Sequence, residues 1–467
     1  MLRDILIIGS GLSGLSAALS FSYYLSPRIP DLRITVFELH SVPSTTGGAI
    51  GLSPTALRHF DHLGILDELA RYGPDSGVDV DAIEMFSART GKSLSQVDFS
   101  GKDGVGYGDG PDTKTYKGRR VMRINLALAM IAAAEKRGHI KIVFGKKFSK
   151  AVELDDEDKI EIFFADGSRA TGDLMVGCDG VWSATRRRYV DPGCEAEYTG
   201  FSLVQGTINT STMKTSAHFR STSLNISKSG SLLMTFYDKP RDGMFVSAML
   251  ECQETAVRDH TETRGWNRVM ISESLRREVY SRFGNSAIPC VREVSSSTDI
   301  DWMLYPIYQV PVGGKWHNGR AILIGDAAHA MLPRDESAAY AIDDSIILAR
   351  VVAQYLDQPL ETSFQIYESL RRTDVTHAYH ESMKLWQRRH KDTGTFESWI
   401  RERLLRFYTR HTQHSRRIAF EYDARKTAIP TSLSTRNSSQ FSLRPSSKSQ
   451  SSFSSTDSPP SRANSSV

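Results

Sequence analysis

Three short stretches carry residues whose types and spacing suit them to hold a phosphorylated, hydroxyl-bearing ligand. In the first, Gly9-Ser10-Gly11-Leu12-Ser13-Gly14 follows the apolar run Ile5 to Ile8 and opens a helical pattern that lasts to about Leu25. Gly9 permits a sharp turn off the strand, Gly11 has no Cβ to hold a pyrophosphate away from the backbone, and Gly14 lets the helix sit close on the sheet. The helix N-terminus then presents unpaired amides and a positive dipole end to phosphates. A second β-rich run, Ile34 to Phe37, ends at Glu38, whose carboxylate can accept hydrogen bonds from both hydroxyls of an adenosine ribose. Strand, glycine turn, helix, strand and terminal acid together make a unit that binds an adenine dinucleotide. A secretory leader is not expected, because Asp4 and the three glycines interrupt the apolar segment.

The second stretch runs from Asp173 to Arg186. A buried strand leads into Asp179-Gly180 and then into a helix capped by Ser183 that carries Arg186, Arg187 and Arg188. Taken alone, such an Asp-Gly turn is structural. The third stretch, Gly319 to Pro333, delivers Gly325-Asp326 at the carboxyl end of a strand, which is where open α/β sheets bind ligands. Asp326 can hydrogen-bond sugar-like hydroxyls, and His329 in the strand-to-helix turn is a candidate base whose role the stretch alone leaves open. A helix from about Ala338 to Asp357 follows, its amino end open toward an electron-rich cofactor edge. No Ser/His/Asp triad is present to propose.

The elements that position these stretches imply an α/β chain with an insertion. After Glu38, the glycine-rich loop Thr45 to Pro54 leads into a helix from Thr55 to about Arg71, with Leu57, Phe60, Leu63 and Leu66 on its apolar face. Residues 78–118 read as a β excursion containing a glycine- and aspartate-rich loop. Arg119 to Asn125 introduces a helix running to about Lys136, and a meander near 141–164 follows, with a turn at Asp166-Gly167. From Asp191 to Asp301 the texture changes to alternating strands and one helix, about Asn267 to Arg282, with no phosphate-binding glycines. The expected division is therefore 1–190 and 302–357 as two parts of a nucleotide-binding domain, 191–301 as a substrate domain, 358–430 as C-terminal helices, and 431–467 as a serine-rich tail that cannot bury enough apolar surface to fold.

Bulk composition narrows the partners. Hydrophobic content of 40% and charged content of 24% are ordinary for a folded, water-soluble chain. The net charge is +4, but residues 431–467 supply four bases and one acid, which leaves the rest at +1. No nucleic-acid partner is expected from that balance. Cys178, Cys194, Cys252 and Cys290 show no CxxC spacing, so neither a metal site nor a disulfide framework is indicated and a reducing, cytoplasmic setting is expected. No apolar run reaches the roughly 18 residues of a membrane span. The C-terminal helices carry stripes such as Trp399, Ile400, Leu404 and Phe407, and their arginines suit a membrane surface or, as expected here, a solvated helix face.

In their order and spacing the three stretches resemble the single-component FAD-dependent aromatic hydroxylases, the salicylate hydroxylase-like monooxygenases, from about Met1 to Asp357. The resemblance implies a Rossmann-like FAD-binding domain of the glutathione reductase type, an inserted mainly β substrate domain and C-terminal helices. It implies FAD as cofactor, held by Gly9, Gly11, Gly14 and Glu38 at the adenosine half, by Asp179 and Gly180 near the pyrophosphate, and by Gly325 and Asp326 at the ribitol, with Gly51, Arg123 and Ala339 also in contact. NADH or NADPH would reduce the flavin. Dioxygen would then form a flavin hydroperoxide that hydroxylates or epoxidises an aromatic or polycyclic small molecule. No side chain need act as a nucleophile, so no catalytic residue is assigned. The Trp-x-Trp-x-Ile-Pro pattern of related halogenases is absent. Two departures stand out. Pro333-Arg334-Asp335-Glu336-Ser337 replaces a glycine-bearing turn, which supports the alternative of a flavin-binding protein without hydroxylase activity, and Gln205 stands where many relatives are expected to have arginine.

Overall fold

The computed structural model describes residues 2–45, 47–108, 113–252, 269–270, 273–333, 337–389 and 395–431. Asp4–Ile8 lies at the centre of a six-stranded sheet among the described residues, ordered His317–Asn318, Ala321–Leu323, Leu174–Gly177, Asp4–Ile8, Arg33–Phe37, Ile140–Val143. The pairings are parallel except between the first two. Parallel strands are covered on both faces, which is why Ile5, Ile7, Leu174 and Val176 read as continuous apolar runs and are fully buried. Register aligns the strand ends: Ile8 stands opposite Phe37 and Gly177, and Gly177 opposite Leu323. Gly9, Glu38, Cys178 and Ile324 therefore leave the sheet along one edge. Helices Leu12–Leu25 and Ser337–Gln354 pack against each other over that edge.

A second sheet of eight described strands has the 13-residue strand Glu197–Asn209 near its middle, between Met303–Gln309 and Gly243–Glu251. Its two faces are used differently. Val204, Leu232, Met234 and Val246 pack into a core with Val279, Phe283, Val291 and Trp302, and the alternating Leu203, Gln205, Leu233 and Ser247 face a cavity. The β excursion joins this sheet: Ala82–Ser87 pairs in parallel with Thr222–Ser227 and antiparallel with Ser93–Asp98.

Besides the placement of the β excursion and a second helix, Pro289–Ser296, in the inserted part, three details differ from the sequence reading. The expected helix at 55–71 is two helices, Pro54–His62 and Ile65–Ala70, because Gly64 takes a left-handed φ of 80° between them. The expected meander near 141–164 is split, since Ile140–Val143 pairs with Arg33–Phe37, and the meander proper is Phe148–Leu154, Lys159–Phe164 and Arg169–Gly172. In the expected helix at 267–282, Val269–Met270 is a short strand and a helix runs from Glu273 to Phe283. The altered turn at Arg334 to Glu336 and all but the first residue of the serine-rich tail lie outside the described residues.

Two long helices, Leu360–Arg389 and Thr395–Glu421, close the chain against both sheets. No described helix is long and apolar enough to cross a membrane. The chain after Thr395–Glu421 is strapped to the nucleotide-binding half. Arg58 donates to the carbonyls of Phe420 and Tyr422, and Arg350 to that of Ala424. The buried His59 imidazole stands between two carboxylates, 3.2 Å from Asp343 and 3.4 Å from Asp423. Burial opposes its charge, but the two aspartates outweigh burial and raise its pKa. A raised folded-state value means that His59 contributes stability fully below the unfolded value of about 6.5, and that this contribution is lost as pH rises through the folded value. In urea denaturation, the stability gap between the parent and His59→Gln should therefore narrow as pH is raised above about 6.5; a gap that widens with pH would contradict the clamp.

Candidate functional site

The glycine turn is built for close approach. Gly9 takes φ 100°, and a Cβ there would lie 2.6 Å from the Cys178 carbonyl oxygen. At Gly14 a Cβ would meet the Gly9 carbonyl oxygen at 1.9 Å, so this position must stay bare for the helix to dock. A Cβ at Gly11 would meet nothing within 4 Å. Gly11 is thus bare without any need from the protein's own packing, and the space beside it borders the cavity. Gly11 is also the N-cap of Leu12–Leu25 and no side chain caps that helix, which leaves its first-turn amides for an anion. Glu38 closes the rim: its carboxylate accepts from the Ser10 amide at 2.8 Å, the Ser10 hydroxyl at 2.7 Å and the His40 amide at 2.9 Å.

The Asp-Gly stretch divides its two residues between tasks. Asp179 accepts from the Ser183 hydroxyl at 2.5 Å and the Thr185 amide at 2.9 Å, while Ser183 caps the Arg186 amide at 2.8 Å. Gly180 lines the cavity. Arg186 is buried and donates to the carbonyls of Val181, Cys194 and Ala327, tying this turn to the third stretch.

At the third stretch a buried carboxylate sets the geometry. Asp344 accepts from the Gly325 amide at 3.1 Å, from His329 Nε2 at 2.7 Å and from Arg371 Nε at 2.7 Å, with Asp344 and Arg371 fully buried. Burial alone would raise the Asp344 pKa, but Arg371 and His329 hold it well below the usual carboxylate range. His329 is therefore a structural partner of Asp344. Asp326, the next residue after Gly325, turns its carboxylate into the cavity, as does the guanidinium of Arg123. Desolvation at the bottom of this recess raises the Asp326 pKa and lowers that of Arg123, and each charge partly offsets the other's shift. Two opposite charges held at a recess, with bare backbone at Gly11 and Gly180 beside them, form a donor and acceptor set for a polyhydroxylated, phosphorylated group.

The cavity holds about 760 Å³ and runs on from this recess to the face of the eight-stranded sheet. Gly47 joins the two parts: a Cβ there would lie 3.5 Å from both the Arg123 and the Gln205 side chains. Gly11, Gly51, Arg123, Gly180 and Asp326 are brought together on the cavity wall, whereas Gly9, Gly14, Glu38, Asp179 and Gly325 do not line it. Ala339 is buried, and its neighbours Ala338 and Tyr340 face the cavity instead. Sequence reasoning missed Tyr305, His377, Trp386 and Arg416 on the far wall. They come from the second sheet and the two C-terminal helices, where no local spacing marks them. Trp386 donates its indole N–H to the Pro333 carbonyl at 2.8 Å, so the Leu360–Arg389 helix fixes the end of the third stretch.

The chain resembles known proteins over most of its length. A family profile described as FAD binding domain matches residues 3–382. Among curated proteins, 6-hydroxynicotinate 3-monooxygenase of Bordetella bronchiseptica is 27% identical over 374 residues, 79% of this chain and 87% of that protein. Salicylate hydroxylase of Pseudomonas putida is 24% identical over 425 residues, 85% of this chain and 89% of that one. Among solved structures, Klebsiella pneumoniae HpxO complexed with FAD and uric acid has a TM-score of 0.66 at 20% identity, covering 87% of this chain and 93% of its own. A salicylate hydroxylase substrate complex has a TM-score of 0.65 at 19% identity, covering 92% and 99%. These two likenesses establish the mixed α/β fold.

The Asp344 network yields a stability prediction. Arg371→Met should leave the carboxylate half-neutralised in a dry site and cost about 3–5 kcal/mol by urea denaturation. A cost below about 1 kcal/mol would mean that the network does not order the Gly325-Asp326 turn.

Proposed function

Because the chain belongs to the FAD binding domain family of FAD-dependent monooxygenases, we propose that it spends a reduced nicotinamide and dioxygen to hydroxylate or epoxidise an aromatic or polycyclic phenolic molecule. It is an oxidoreductase that carries FAD. The observation that carries the substrate reading is that the Gly11, Gly180 and Asp326 recess and the largely apolar sheet face of Leu203, Leu233, Met249 and Ile307 line one cavity.

In this reading the residues divide the work by chemistry. The amides at Gly11 and the first turn of its helix receive the pyrophosphate, with Gly9 and Gly14 shaping the turn. Glu38 holds the adenosine ribose, Asp326 accepts from ribitol hydroxyls, and Arg123 supplies a cation beside them. Asp179 shapes the turn that presents Gly180, and Asp344 does the same for Gly325. FAD, when bound, supplies electron transfer from the nicotinamide and the activation of dioxygen. Leu203, Leu233, Met249 and Ile307 exclude water from the reacting ring, and Gln205 offers it an uncharged amide close to Arg123. An amide in this place favours a neutral phenol over a carboxylate as substrate. All four cysteines are free, and we place the protein in a reducing compartment such as the cytoplasm. The domain division expected from sequence is retained in this proposal, with residues 82–98 added to the substrate sheet.

Glycine substitutions separate cofactor binding from folding. Gly11→Val should leave the melting temperature near that of the parent, since its side chain enters open space, yet lower flavin content after purification by tenfold or more. Gly14→Ala should destabilise the fold itself through its clash with Gly9. Asp326→Ala should also lose flavin while retaining the parent's far-ultraviolet circular dichroism. A phenolic substrate panel, read by nicotinamide consumption and by mass spectrometry for one added oxygen, tests the reaction. Protein that is colourless and takes up no added FAD would overturn the reading, and flavin uptake without oxygenated product would favour the hydroxylase-inactive alternative.

A further inference from the structure

The helix Thr395–Glu421 has two opposed faces, and they are the reverse of what its apolar pattern suggests. Inward, Leu405 and Phe420 pack against Val80, Ile83, Val97 and Phe99. Glu402 accepts from Ser87 at 2.6 Å and pairs with Arg89 at 3.2 Å, and Thr409 bonds Ser95. Residues 402, 405, 409, 412, 416 and 420 thus mark the inner side at helical spacing. The stripe Ile400, Leu404, Phe407 falls on the opposite side, and these side chains are 37%, 60% and 62% exposed. Large apolar side chains grouped on one outward stripe are uncommon on a surface that faces only water.

The charge around that stripe states what would cover it. Over Thr395–Glu421 the chain has arginines at 401, 403, 406, 410, 416 and 417 against three acids, Glu397, Glu402, which is engaged inward, and Glu421. Arg416 faces the cavity and Arg417 pairs with Glu421. Helical spacing sets positions 406 and 410 along one flank of the apolar stripe. An apolar stripe with a basic flank on a helix lying along the surface fits the interface of an anionic bilayer, the side chains entering the acyl boundary and the cations meeting headgroup phosphates. A second copy of this chain fits less well, because a two-fold contact through this face would bring two rows of arginines together.

We propose that Thr395–Glu421 docks this protein, peripherally and reversibly, on anionic lipid surfaces through Ile400, Leu404 and Phe407. The other side of the same helix carries Thr412, Ser415, Arg416 and Ala419 on the cavity wall. Docking therefore holds the cavity near the membrane, and, resting on the proposed function, it suits a substrate that partitions into lipid.

The test uses the full-length flavin-loaded protein and extruded vesicles of phosphatidylglycerol and phosphatidylcholine, or of phosphatidylcholine alone, read by co-sedimentation. Binding is expected on the anionic vesicles, at least about tenfold weaker on neutral ones and in high salt. The double variant L404S/F407S should bind the anionic vesicles at least about tenfold more weakly while keeping flavin content and melting temperature. Arg406→Gln with Arg410→Gln should weaken binding in the same direction. The proposal is overturned if the parent does not sediment with anionic vesicles, or if L404S/F407S binds as the parent does. It is equally overturned if light scattering shows a parent dimer that the double variant dissolves in the absence of any vesicle binding. Because sedimentation needs no turnover, failure of the hydroxylation reading leaves this result independent.

Discussion

Three consecutive buried polar residues on one helix, Asp343, Asp344 and Ser345, hold the cofactor half of this molecule in register, and all three have no solvent exposure. Each reaches a different part of the chain. Asp343 faces His59 on the Pro54–His62 helix, Asp344 holds the Gly325 amide with His329 and Arg371, and the Ser345 hydroxyl donates to the Ser13 carbonyl at 3.2 Å. Burying two adjacent carboxylates costs several kcal/mol each unless cations and amides answer them. Their answers come from segments far apart in sequence, so the cost is offset only when the Pro54–His62 helix, the Gly325-Asp326 turn and the Leu360–Arg389 helix are assembled together. The charged network thereby makes the site cooperative with the fold.

That dependence explains which features were legible in the sequence. Gly9, Gly11, Gly14, Glu38 and Gly325-Asp326 could be read because each sits at the carboxyl end of an apolar strand, and strand periodicity and turn chemistry are local signals. Parallel register then gathers them along one edge without further information. The partners of those residues were not legible. Nothing around Arg371 marks it as the counter-ion of Asp344, and nothing around Asp423 marks it as a ligand of His59, since both pairings depend on docking of helices with no sequence motif. Gly64 also escaped, because one glycine inside a long apolar pattern does not by itself end a helix.

The substrate side shows a different limit. Period-two alternation in Phe201 to Ile208 announces a strand with two unlike faces, but it cannot say which face meets a helix and which a cavity. The structure decides this by covering Val204 and Val246 with Val279, Phe283 and Val291, leaving Leu203, Gln205 and Ser247 for the cavity. The β excursion, read as an appendage of the nucleotide-binding half, completes the wall with Ile83 and Met85 because its strand pairs in parallel with Thr222–Ser227. A parallel pairing between distant segments leaves no turn signature to read.

The same ambiguity governs the last helix, and there it has functional weight. A stripe of Ile400, Leu404 and Phe407 is the pattern by which a helix is ordinarily assigned its buried face. Here Glu402, Leu405, Thr409 and Phe420 take the inward side instead, held by hydrogen bonds from Ser87 and Ser95 and by the ring of Phe99, 5.1 Å from that of Phe420. A mostly polar inner face fixes the helix by specific partners and leaves its apolar side uncommitted. A helix that lines a large cavity with Thr412, Ser415, Arg416 and Ala419 while turning apolar side chains outward is suited to hold that cavity near an apolar phase outside the protein.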